Sequence, residues 1–108
     1  MPPWPAQVHD EAAVGTTPTS PAVHAWGDPA IIARCGVAAL GPTTDQCIDV
    51  SGVDWVARQL SDGVAFTTFG TEPAIEVLVP KAYAPEPLVL PAFAEAAKAL
   101  PRNTLTCR

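Results

Sequence analysis

No uninterrupted apolar run in this chain approaches the roughly 18 residues that a membrane-crossing helix requires. The opening "MPPWPAQVHDE" lacks both the basic end and the apolar centre of a signal peptide. The residues given therefore contain no membrane span and read as a mature or truncated portion behind an initiating methionine, with a lipid anchor on the full precursor left open. Positive charge is scarce too. Six basic side chains, Arg34, Arg58, Lys81, Lys98, Arg102 and Arg108, stand against eleven acidic ones for a net charge of -5. They are scattered, so no stripe follows a phosphate backbone and nucleic acid is not an expected partner.

Metal and cofactor motifs are missing as well. Three cysteines and two histidines, His9 and His24, include no Cys-x2-Cys unit and no paired histidines, which leaves no metal centre to expect. His24, beside a tryptophan, reads as a hydrogen-bonding surface or interface residue. Neither "VSGVDWV" nor "FGTEP" supplies the glycines and lysine of a phosphate loop, and no cofactor is expected. Asp28, Asp45, Asp49 and Asp54 are dispersed, and capping, turns and solubility account for them. Cys107, near the terminus, lacks a neighbouring base and a rigid support for nucleophilic work. No catalytic residue is assigned. Convergence of Asp49, Asp54, Arg34 and His24 is the one arrangement that would restore an enzymatic reading.

What the chain has in plenty is proline, 13 residues, with 7 glycines and a 48% hydrophobic content over 108 residues. That combination predicts one small domain of short elements joined by rigid corners. Residues 1–24 read first as a Pro-rich extended leader or partner-binding arm, or as an ordered arm in which Trp4 and Val8 dock on the domain. Residues 25–108 read as a single small α+β domain.

Within it, "AWGDPAIIARCGV" admits a short helix, with Asp28 capping, Pro29 in the first turn and Gly36 ending it. It also admits a strand placing Ile31, Ala33 and Cys35 on one face and Ile32 and Arg34 on the other, which is slightly favoured. "QCIDV" fits a second strand. "SGVDWVARQL" is either a helix with a Ser51/Asp54 capping box or, preferred, the first half of a hairpin turning at Asp62-Gly63 into "VAFTTFG". The clearest strand is "AIEVLVP", with Ile75, Val77 and Val79 opposite Ala74, Glu76 and Leu78. A C-terminal helix is expected from Pro91, with Phe93, Ala96, Ala97 and Leu100 as its apolar stripe and Pro101 as its stop. The predicted fold class is α+β: a small antiparallel sheet with a C-terminal helix packed on one face, disulfide-stabilised. The disulfide expected from spacing joins Cys35 to Cys47, twelve positions apart, and would contribute about 2–4 kcal/mol.

The blocks "AWGDPAIIARCG", "CIDVSGVDWV" and "FTTFGTEPAIEVLVP", followed by a C-terminal cysteine, resemble the actinobacterial DUF3515 family of uncharacterised secreted or lipid-anchored envelope proteins over residues 25 to 108. The matching positions include Trp26, Gly27, Arg34, Cys35, Cys47, Trp55, Phe69, Gly70, Glu76 and Cys107. The resemblance implies an extracytoplasmic setting, secreted or attached to the outer face of the cytoplasmic membrane, and favours strands at 31–37 and 53–60. Relatives often carry a further N-terminal cysteine that has no counterpart in these residues. The family carries no accepted reaction.

The functional expectation is therefore a non-enzymatic accessory or protein-interaction domain of the cell envelope with an envelope protein as partner. Trp4, Trp26, Trp55 and Tyr83 are its candidate interaction surface. The alternatives are a module binding a small apolar molecule, lipid or cell-wall fragment in a pocket around Trp26, Trp55, Phe69 and Tyr83, and an envelope enzyme of unidentified reaction.

Overall fold

The computed structural model describes residues 4–8, 11–14, 22–27, 29–41, 46–103 and 105–106. Eight strands form one antiparallel sheet: β1 (Gln7–Val8), β2 (Glu11–Val14), β3 (Val23–Trp26), β4 (Ile31–Val37), β5 (Cys47–Val50), β6 (Val53–Leu60), β7 (Gly63–Thr68) and β8 (Ala74–Pro80). Their order is β1-β2-β3-β4-β8-β7-β6-β5. Two up-and-down runs, the first four strands and the last four, are thus joined along their final members, with Ile32 opposite Leu78 and Arg34 opposite Glu76. The ambiguous segments at 31–37 and 53–60 are strands, and the period-two reading of 74–80 holds: Ile75, Val77 and Val79 are buried on one face.

The β5–β6 hairpin turns on Ser51 and Gly52, at φ +54° and +81°. This left-handed pair matches the twist of the flanking strands, and the Gly52 amide donates to Asp49 Oδ1 at 3.2 Å. The β6–β7 turn falls on Ser61 and Asp62, one residue before the expected Asp62-Gly63, with Leu60 paired to Gly63. Gly63 serves packing instead of turning: a Cβ there would lie 2.1 Å from the Val79 carbonyl oxygen.

After β8 the chain makes 3₁₀ turns over Lys81–Tyr83 and Glu86–Phe93 and then helix α1 (Ala94–Lys98). The helix begins later than expected and is short, because Pro91 lies inside the 3₁₀ segment and has no amide to donate. Its expected stripe is nonetheless the buried one: Phe93, Ala96, Ala97 and Leu100, joined by Val89 and Leu90, cover one sheet face. Under them lie Trp26, Ile31, Ala33, Cys35, Val53, Trp55, Phe66, Ile75, Val77 and Val79. The fold is α+β, with a C-terminal helix packed on one face of an antiparallel sheet.

Residues 69–73 are braced by a buried hydroxyl pair. Thr68 Oγ1 accepts from the Ile75 amide at 2.9 Å and lies 2.7 Å from Thr71 Oγ1. At the other end, the described part of residues 1–24 belongs to the same core. Val8 is wholly buried, and the Trp26 indole donates to the Pro5 carbonyl at 3.0 Å.

The expected Cys35–Cys47 disulfide is not formed. Cys35 is a free buried thiol, and no disulfide joins two of the described residues. The strand order explains why: β4 and β5 are separated by β8, β7 and β6, about 19 Å at ordinary strand spacing. The alternation also sends Cys35 to the covered face and Cys47 to the opposite one, far outside the geometry a disulfide tolerates. Among the described residues the fold is held by the covered face and the strand ladders. Cys107, Asp28, Asp45 and His9, all singled out from the sequence, lie outside the described residues.

Candidate functional site

Among the described residues the C-terminal segment covers one face of the sheet, and the other face carries no helix. Strand register sets what it presents. One row crosses six strands, from Val14 through Ala25, Ile32, Leu78 and Ala65 to Arg58. A parallel row runs Arg34, Glu76, Thr67, Val56 and Cys47. The first spans about 24 Å at ordinary strand spacing and is apolar until its last member.

A β-bulge adds to this face. Gly36, at φ +91°, is the extra residue between the Cys35–Ile75 and Val37–Ala74 pairs. Without it, Val37 would continue the inward series of Ile31, Ala33 and Cys35. The inserted residue flips the parity and delivers Val37 to the outer face. There Val37, Ala38 and Leu40 stand beside Val56, Arg58, Ala65, Thr67 and Glu76 around an open depression of about 170 Å³. A second depression of about 180 Å³, towards the β6–β7 turn, is bounded by Ile32, Leu60, Leu78 and Pro80, with Asp62 of the turn on its rim. Val56 and Ala65 are buried and form a floor, while Ile32 and Leu78 are half-buried.

The charges on this face are unequal. Arg34 and Glu76 form an ion pair across β4 and β8, with the guanidinium half exposed. Arg58 is exposed and makes no ion pair or hydrogen bond among the described residues. A free guanidinium beside a small apolar hollow offers a planar donor fork to a carboxylate. It offers no nucleophile and no general base.

The aromatic residues expected to form an interaction surface are placed differently. Trp26 and Trp55 have no exposed surface at all, which corrects their assignment as docking anchors. Trp26 is held edge-on by Phe93, with ring centres 5.2 Å apart, and stacked obliquely against His24 at 4.9 Å. Its role is to fasten the N-terminal residues: Trp4 packs against Trp26, His24 and Phe93. Trp55 lies beneath the covering segment with its indole Nε1 unbonded. Tyr83 is half-buried and donates its hydroxyl to the Pro29 carbonyl at 2.6 Å, closing a corner. Phe69 is likewise core, so the aromatic pocket expected around Trp26, Trp55, Phe69 and Tyr83 is filled by packing.

The polar groups do not converge either. Asp49 and Asp54 face each other across β5 and β6, Arg34 lies three strands from Asp54, and His24 is on the covered face. Among the described residues no group of three or more His, Cys, Asp or Glu side chains is placed to hold a metal ion. No helix among them is long and apolar enough to cross a membrane. Burial pushes the Cys35 thiol up from its ordinary value, which keeps it neutral and inert near pH 7.

The outer-face site was not read from the sequence as a site. Its signal was present in Ile32, Leu78 and Ala65, apolar positions on the side opposite the expected core. Comparison with known proteins adds one relation. The model of a family described as "Protein of unknown function (DUF3515)" matches residues 1–104, reaching into the N-terminal stretch as well as the blocks from residue 25 onward. No curated protein matches the chain, and no solved structure does.

Proposed function

The chain belongs to the DUF3515 family of proteins of unknown function, and from that premise we propose that it is a non-enzymatic interaction domain that docks a protein partner on the outer face of its sheet. The observation that supports this is the apolar row Val14, Ala25, Ile32, Leu78 and Ala65. An antiparallel sheet covered on one side normally carries polar residues at the alternate positions, whereas this row is apolar throughout, exposed at Val14, half-buried at Ile32 and Leu78 and buried at Ala25 and Ala65. Each depression falls short of the roughly 300–1,000 Å³ of a site enclosing a drug-sized ligand. This size suits single side chains of a larger partner better than an engulfed small molecule.

We place the domain outside the cytoplasm, with an envelope protein as its partner, on the strength of the resemblance to secreted and lipid-anchored actinobacterial proteins. Site-specific photocrosslinking in intact cells of the producing organism tests both parts. A crosslinker at position 32 or 78 is expected to give a discrete protein adduct that Leu78→Asp abolishes. A crosslinker at position 88, an exposed leucine on the covering segment, is expected to give none. The same adducts from position 88 would overturn the docking face, and recovery of the chain in the cytoplasmic fraction would overturn the location.

A further inference from the structure

We infer that the partner segment received by the outer face is acidic: it presents a carboxylate to Arg58 and sets aliphatic side chains into the two flanking depressions. This inference rests on the docking reading above and names the chemistry of the occupant.

The argument begins with what is already satisfied. Arg34 is engaged by Glu76, so it is not the open cation of this face. Arg58 is the exposed end of the apolar row and is unpaired among the described residues. It also borders the 170 Å³ hollow, with Thr67 on the same rim. In a chain of net charge -5, an uncommitted guanidinium above a small apolar floor is locally complementary to a carboxylate and would repel a cation. The neighbouring Ala65 is small and lines the same hollow, leaving the guanidinium approachable from that side.

Spacing supports an extended occupant. The hollows lie on opposite sides of the Leu78–Ala65–Arg58 row, one towards Val56 and Thr67, the other towards Leu60 and Pro80. Each of those residues is two positions along β6, β7 or β8 from a member of the row, and side chains two residues apart recur about 7 Å apart on one face of a strand. An extended segment running along the strands, with aliphatic, acidic and aliphatic side chains at alternate positions, presents the same period. The shared geometry lets one carboxylate meet Arg58 while its neighbours two positions away enter the hollows.

The probe is the peptide acetyl-Leu-Gly-Glu-Gly-Leu-amide, titrated into the isotopically labelled full chain and followed by amide shifts, beside versions with Gln or Lys in place of Glu. Shifts confined to residues 56–60, 63–67 and 76–80, about tenfold weaker binding of the Gln peptide and of Arg58→Gln, and weakening with added salt are expected. Arg58 is exposed, so its substitution leaves the fold intact, and an unchanged amide spectrum elsewhere verifies that. Equal outer-face binding by the Glu, Gln and Lys peptides would overturn the acidic assignment while leaving the docking face standing. Shifts elsewhere, or no shifts while crosslinks from positions 32 and 78 persist, would overturn the inference alone. Loss of those crosslinks would overturn the reading beneath it.

Discussion

The two faces of the central strands are built from the same strands read at alternate positions, yet they have different fates. On the inner face Ile31, Ala33, Ile75, Val77, Val79 and Phe66 are sealed under Val89, Leu90, Phe93 and Ala96. On the outer face Ile32, Leu78 and Ala65 have no helix over them among the described residues, and charge enters at Arg34, Glu76 and Arg58 and, towards the β5–β6 turn, at the paired Asp49 and Asp54. The inner face shows how this chain makes a core: large side chains beneath a proline-stiffened cover. The outer face is nearly as apolar in kind but uses smaller or half-buried side chains and keeps open hollows. That difference separates surface that holds the fold from surface available to a partner.

The sharpest way to break the comparison is to truncate one residue on each face. Phe93→Ala removes a fully buried ring that contacts Trp26 and Trp4. Its expected cost is about 3–5 kcal/mol, a large share of the 5–15 kcal/mol typical of a domain, read as a lower urea midpoint or loss of the cooperative transition. Leu78→Ala, half-buried on the outer face, should cost only about 1 kcal/mol. Equal losses would make the outer face a second core and leave no surplus surface for docking.

How much of this was legible before the structure depends on the interaction involved. Strand β8, the alternation in β4 and the stripe Phe93, Ala96, Ala97 and Leu100 follow from short-range periodicity, and all are present. The cysteine pairing failed because sequence separation says nothing about strand order: residues 35 and 47 are near in the chain, but β8, β7 and β6 stand between them. Composition cannot tell a displayed ring from a buried one: Trp26 and Trp55 are fully buried, and at Trp26 that depends on how the N-terminal residues and the C-terminal segment close over it. Val37 was illegible for a subtler reason, since its face depends on a single inserted glycine.

That glycine gives an intermediate effect. Gly36→Ala meets no atom within 4 Å, so steric crowding contributes nothing, but φ +91° is strained for any side chain. The expected cost is about 1–2 kcal/mol, or roughly 4–8 °C in Tm for each kcal/mol in a domain of this size. Gly41→Ala, equally uncrowded and without a positive φ, should be close to neutral and serves as the control. If Gly36→Ala were also neutral, the bulge would not be holding Val37 on the outer face. The distinction between the faces would then rest on something other than strand parity.

The smallest stability effect is expected at the Arg34–Glu76 pair, and it has a consequence larger than its energy. With the guanidinium half exposed, the pair is worth at most about 1 kcal/mol and weakens with salt, measurable as the coupling in a double-mutant cycle of Arg34→Ala and Glu76→Ala. Glu76 and Arg58, however, line the same hollow. Removing Arg34 releases the Glu76 carboxylate to compete for Arg58, so Arg34→Ala should weaken the acidic peptide while barely moving Tm, and adding Glu76→Ala should restore binding. If Arg34→Ala left peptide affinity unchanged, Glu76 would not be within reach of Arg58's ligand. The ion pair would then be only surface decoration on the outer face, whereas rescue by the double variant makes it the element that keeps Arg58 open.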